Sequence, residues 1–134
     1  MPGADVIGSH VNATRKALVL AAERAFHDVE KFPERTQFAH LCAACAGAIC
    51  EEEIVNYLHY QAGRKNAPWP REFVERIVVA CKMITKDLAS DSDRVLAWRY
   101  FATYLRRENA WQSRPRAGGR GAGAQGGPRP RGQR

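Results

Sequence analysis

The sequence has no long hydrophobic run. Its longest nearly unbroken apolar stretch is Leu41–Cys50, far short of the roughly 20 residues that a membrane-spanning helix needs. The opening residues, MPGADVIGSHVNATRK, lack the basic start and apolar centre of a secretory leader. The chain is therefore expected to be cytoplasmic, with its four cysteines reduced and no membrane partner. Phosphate-cradling glycine loops are missing too: there is no G-x-x-x-x-G-K-[ST] and no G-x-G-x-x-G. His10, His27, His40 and His59 stand without a nucleophile partner. The three carboxylates Glu51-Glu52-Glu53 are adjacent, so on a helix they point around it instead of converging. They read as a solvated turn or as favourable charge at a helix start. An enzyme is not expected, and no cofactor is implied.

A metal or redox site is also poorly supported. Cys42 and Cys45 form a lone C-x-x-C, with His40 before it and Cys50 after it. A structural zinc site usually has a second ligand pair, and here Cys81 and His59 are isolated. A thioredoxin-like pair follows a strand, and no strand pattern precedes this one. Cys42 and Cys45 instead fall on the apolar stripe of a helix, where free cysteine acts as a small hydrophobe.

What the sequence does have is positive charge, unevenly placed. The formal net charge is +7 over 134 residues. From Ser113 the chain reads SRPRAGGRGAGAQGGPRPRGQR, with six arginines and no acid, which leaves residues 1–112 at about +1. Such a Gly, Pro and Arg composition offers no apolar face to bury, so this tail is expected to be disordered. It reads either as an RNA-binding arm or as a solvated extension. Within the remainder, residues 1–53 carry −3 and residues 54–112 carry +4. A basic half suits phosphate, and an acidic half suits a neighbour's basic half.

The rest of the pattern is helical, with no convincing strand. A first helix is expected from about Asn12, an N-cap residue, to Lys31, with Leu18, Ala21, Ala22, Ala25, Phe26 and Val29 in one stripe. Phe32-Pro33 should end it. A second helix opens near Pro33 with Phe38, Leu41, Cys42, Cys45 and Ile49 along one face. A third carries Ile54, Val55, Leu58 and Ala62 to Gly63, and joins the second unless Gly47 breaks it. After the turn Asn66–Pro70, a fourth presents Phe73, Ile77, Ala80, Cys81 and Ile84. Ser90 and Asp93 stand at capping-box spacing before a fifth, striped with Val95, Trp98, Phe101, Ala102 and Leu105. The expected fold is all-α: a compact bundle of four to five helices over residues 12–112, with a flexible N-terminus (1–11) and a disordered basic tail (113–134).

Tyr60-Gln61-Ala62-Gly63-Arg64 ends one helix, Phe73-Val74-Glu75 opens the next, and Ala102-Thr103-Tyr104-Leu105-Arg106-Arg107 lies in the last. Upstream, Thr36-Gln37 opens a helix. This pattern resembles the small helical subunit of type III-A CRISPR–Cas effectors, the Csm complex, over about residues 33–107. The sequence departs from it at Ala39, where the family carries a basic residue, at Arg99, where it carries an acid, and in the Arg/Gly tail. The resemblance implies a subunit that stacks in several copies inside a filament-like complex, contacts guide RNA and its paired target RNA, touches other effector subunits, and cuts nothing. It implies phosphate contacts that are largely independent of sequence, with base pairing supplying specificity.

The cations that suit this role are Arg64, Lys65, Arg71, Lys82, Lys86, Arg99, Arg106 and Arg107, which together are expected to make a basic strip. Each also has a plainer reading. Arg64 and Lys65 suit free carbonyls at a helix end. Arg71 is unfavourably placed for the dipole of the fourth helix, which a phosphate would relieve. The others are ordinary solvated side chains if taken singly. Tyr100 and Tyr104 share a face open to RNA or to another subunit, while Trp98 and Phe101 belong to the core by spacing. Two other functions fit the same residues: a stand-alone double-stranded-RNA binder, monomeric or dimeric, and a helical protein–protein adaptor whose tail alone touches RNA.

Overall fold

A computed structural model describes the backbone of residues 2–113 and the side chains of residues 12–113; apart from Ser113, which ends the last helix, the expected disordered tail lies outside the described residues. Five helices follow one another: α1 (Pro2–Ala25), α2 (Arg35–Gly47), α3 (Glu51–Gly63), α4 (Arg71–Ile84) and α5 (Asp91–Ser113). There is no strand among the described residues. The all-α bundle is as the periodicity implies. Central helix α5 packs along α1 and α2, and α4 lies against α1 and α3. The partners of α5 fix its direction. Arg99 bonds the end of α2 through Cys45 and Ala46, while Asn109 Nδ2 donates to the Pro33 carbonyl just before α2 begins (3.3 Å). The two helices are therefore antiparallel.

Three boundaries differ from the sequence expectation, each for a local reason. Helix α1 is helical from Pro2, so the segment 1–11 expected to be flexible continues the helix almost to its first residue. Its other end comes at Ala25, short of Lys31. The last turn tightens through Phe26 N–H to Glu23 O (3.4 Å) and His27 N–H to Arg24 O (3.0 Å). Asp28 then takes a left-handed conformation, φ 54°, which short polar side chains tolerate better than most. The carbonyls this leaves open need donors. Arg76 of α4 supplies them: its Nη1 donates to the carbonyls of His27 (2.7 Å), Ala25 (3.2 Å) and Arg24 (3.4 Å).

The third difference is at the end of α2, which stops at Gly47 before the last residue of its expected stripe, and this settles α2 and α3 as separate helices. Ala48 and Cys50 are extended, and the Ile49 N–H donates to Glu53 Oε1 at 2.8 Å. That third residue of α3 thus serves the chain entering the helix, a relative of the capping box. The break swings Ile49 out of the stripe assigned to it, and it is 79% exposed. The start of α5 is as expected, with Ser90 Oγ accepting the Asp93 N–H at 3.1 Å.

The core has two characters. At the end where α1 and α3 finish and α4 begins, Phe26, Phe32, Phe38, Trp69 and Phe73 form one aromatic cluster with centroids 5.0–6.1 Å apart. Such tilted and edge-on ring pairs add to the free energy of burial. Toward the other end, Trp98 packs on Phe101 and its Nε1 donates to Glu51 Oε2 at 3.0 Å. Glu51 is itself buried, and Arg94 Nη1 lies 3.9 Å from its other oxygen. Buried polar atoms without a hydrogen-bond partner among the described residues are Trp69 Nε1 and Asn109 Oδ1.

The cysteines belong to this packing. Cys45 and Cys81 are fully buried, Cys42 and Cys50 half-buried, and all four are free. Burial pushes the Cys45 thiol up to about 12, with Cys42 adding to the rise and Arg99 opposing it. Burial also raises Cys81, helped by Glu51 and Cys45. These are inert, protonated thiols. No group of three or more His, Cys, Asp or Glu side chains suited to a metal ion assembles among the described residues, and no described helix is long and apolar enough to cross a membrane.

Candidate nucleic-acid interface

The eight cations singled out in the sequence do not form one strip. The structure divides them into a set on α3 and α4 and a set on α5.

The first set begins where α3 ends. Arg64 is the residue that closes α3, and its Nη1 donates to Gln61 Oε1 at 2.8 Å. The guanidinium also lies 5.8 Å from the centre of the Tyr60 ring, a ring 64% exposed. So Arg64 meets neighbouring side chains, not the backbone carbonyls expected of it. Lys65 follows in the exposed loop. Arg71 opens α4 beside the end of α3, where the two helices form a shallow cleft of about 290 Å³ that His59, Gly63, Val74 and Glu75 also line. Its dipole penalty has a local remedy, since Arg71 Nε lies 3.4 Å from Glu75 Oε2 one turn on. Both partners are well exposed, so the pair is worth little and leaves Arg71 open to a stronger anion. Lys82 and Lys86 are exposed and have no ion-pair or hydrogen-bond partner among the described residues. Arg71, Glu75 and Lys82 recur at spacings of four and seven, which places them along one side of α4, and Lys86 lies in the turn just past its end.

The second set is more committed. Arg99 donates from Nε to the Cys45 carbonyl (3.1 Å) and from Nη2 to the Ala46 carbonyl (3.1 Å). Its guanidinium closes the end of α2, so the residue expected to meet RNA is a helix cap. Arg106 is exposed beside Cys42 of α2. That thiol is raised by burial, against the opposing effects of Arg106 and Thr103. Arg107 faces the other way, into a shallow cleft toward α1 lined also by Val19, Glu23, Tyr104 and Glu108.

The tyrosine face is partly filled from within. Tyr100 and Tyr104 stack at 6.2 Å with an interplanar angle of 17°. Arg15 of α1 lies 4.3 Å over the Tyr100 ring and donates from Nε to Tyr104 Oη at 3.2 Å. Both rings are half-buried. Trp98 and Phe101 are core, as their spacing implies.

Sequence reasoning passed over four residues. Arg15, Arg76 and Arg94 act on partners outside their own helices, and Arg94 Nε also donates to the Leu88 carbonyl at 2.7 Å. Glu51 was hidden in a run of three acids, although its spacing to Ile54 and Leu58 puts it on the stripe of α3. The chain matches no protein-family model, no curated protein and no solved structure.

Proposed function

We propose that this chain is a non-catalytic RNA-binding structural subunit of a type III CRISPR RNA-guided effector, touching the backbones of guide RNA and target RNA. The observation that carries the reading is the setting of Tyr60–Arg64. This is the segment on which the resemblance to the Csm small subunit rests, and it ends α3 with Tyr60 and Arg64 in solvent beside Lys65 and the start of α4. Arg71 and Lys82 extend the positive charge along α4, and Lys86 adds to it in the turn that follows. Flexible cations on a solvent face gain from releasing the counterions condensed on a phosphate backbone. They fix position without reading bases, which suits a subunit whose specificity comes from pairing between two RNAs. A single copy holding few phosphates binds weakly, and several copies along one guide add their contributions. Arg99 is left out of this reading, because two of its donors cap α2.

The test is RNA affinity at two salt concentrations for the full chain and for a Lys82→Glu, Lys86→Glu variant, with co-assembly on guide RNA and partner subunits as the second readout. The expected result is a weaker complex whose salt slope falls by about one for each phosphate the variant no longer neutralises. Unchanged affinity and unchanged assembly would remove the reading.

A further inference from the structure

The three tryptophans divide sharply. Trp69 and Trp98 are fully buried, whereas Trp111 in the last turn of α5 is 73% exposed. It belongs to a ridge on the side of α5 that faces away from Trp98. Leu96, Tyr100, Tyr104, Arg107 and Trp111 follow at spacings of four, four, three and four. The first half of this ridge is occupied within the fold, since Arg15 covers Tyr100 and bonds Tyr104. The second half, Arg107 and Trp111, is exposed, while Arg106 lies around the helix beside Cys42 of α2.

The sequence that follows is one-sided in charge. From Arg106 to the last residue the sequence holds eight arginines and a single acid, Glu108. Glu108 already accepts from Gln112 Nε2 at 2.6 Å. A large exposed π surface one turn from an exposed arginine, Arg107, suits a ligand that is both flat and anionic. Aromatic side chains stack on unpaired bases regardless of base identity, and cations track the phosphates between them. A duplex supplies the phosphates but hides its base faces in the stack.

We propose that Trp111 is a stacking platform for an unpaired base of single-stranded RNA, with Arg107, one turn before it on the same ridge, holding a flanking phosphate. This rests on the RNA-binding role above and deepens it by naming the form of RNA that α5 meets.

Trp111 gives its own signal, because the other two indoles are shielded from solvent. Full chains of wild type, Trp111→Ala, Trp111→Phe and the Lys82→Glu, Lys86→Glu variant are titrated with a short oligouridylate and with an RNA duplex of equal length. Oligouridylate is expected to quench the exposed indole of the wild type. Alanine at 111 should weaken oligouridylate binding by about five- to a hundredfold, with phenylalanine recovering most of it, and should leave duplex affinity unchanged. An alanine variant that binds oligouridylate like wild type, or no quenching on binding, overturns the stacking proposal. A loss of duplex affinity in the α4 variant would then still uphold the RNA-binding reading. If neither RNA binds the wild type, both fall.

Discussion

The two ends of the bundle are held by different physics. Where α1 and α3 finish and α4 begins, five aromatic rings pack against one another, and the polar Trp69 Nε1 has no partner among the described residues. Toward the other end, a buried carboxylate sits between an indole and a guanidinium, with two thiols buried in the same core. Apolar packing is non-directional and is lost in proportion to the volume removed. A buried polar group is nearly neutral when satisfied and costly when one partner is taken away. The same kind of substitution should therefore have different consequences at the two ends.

The largest effect is expected in the aromatic cluster. Phe38 is fully buried and touches the rings of Phe26, Trp69 and Phe73. Phe38→Ala should lower stability by about 3–5 kcal/mol, measured by urea denaturation. A loss below about 1 kcal/mol would mean that this end does not depend on ring packing.

Trp98→Phe tests the other end more gently. It keeps most of the apolar bulk but removes the Nε1 donor from Glu51. About 1–3 kcal/mol should be lost, because the carboxylate stays buried with only the distant Arg94 guanidinium beside it. Adding Glu51→Leu to Trp98→Phe should recover much of that loss. Recovery by the second substitution would show that the cost lies in the stranded carboxylate; further loss would show that Glu51 contributes by itself.

A smaller contrast separates two arginines of one helix. Arg76 donates to three carbonyls at the end of α1, and Arg71 makes one exposed ion pair within α4. Arg76→Ala should cost about 1–2 kcal/mol, and Arg71→Ala less than about 0.5 kcal/mol. Equal effects in urea denaturation would mean that the guanidinium of Arg76 does not hold α1 to α4.

These arginines also mark where the sequence stops being legible. The stripe of α5 could be read directly, and Val95, Trp98, Phe101, Ala102 and Leu105 are all buried. Burial on one helix face repeats every three or four residues, so it leaves a trace in the sequence. The cap of α2 leaves none, because Arg99 reaches its end across more than fifty residues of chain. The end of α1 is the same case with Arg76. The candidate interface inherits this limit. Charge and exposure picked out Lys82 and Lys86, yet nothing local distinguished them from Arg99. Trp111 escaped for a different reason: the apolar ridge to which it belongs includes two tyrosines that Arg15 of α1 partly covers.

The smallest effect concerns the thiols, and it needs the sign of a proton linkage. The Cys45 thiol lies at about 12 in the fold against an ordinary value of 9.0. Below about pH 9 both folded and unfolded chains keep the proton, and this group leaves stability unchanged. Above that, the unfolded chain ionises first, so stability should fall as pH rises from about 9 toward about 12. Cys81 shifts in the same direction and adds to the slope. Urea midpoints of wild type and Cys45→Ala at about pH 8 and about pH 10.5 provide the check: the alanine variant starts lower because of its cavity, but it should lose less over the interval. In the native protein at about pH 8, a thiol reagent should label the half-exposed Cys42 and Cys50 well before Cys45 and Cys81. If all four label at one rate, Cys45 and Cys81 are as accessible as the half-buried pair, and the core around Glu51 and Trp98 does not stay closed.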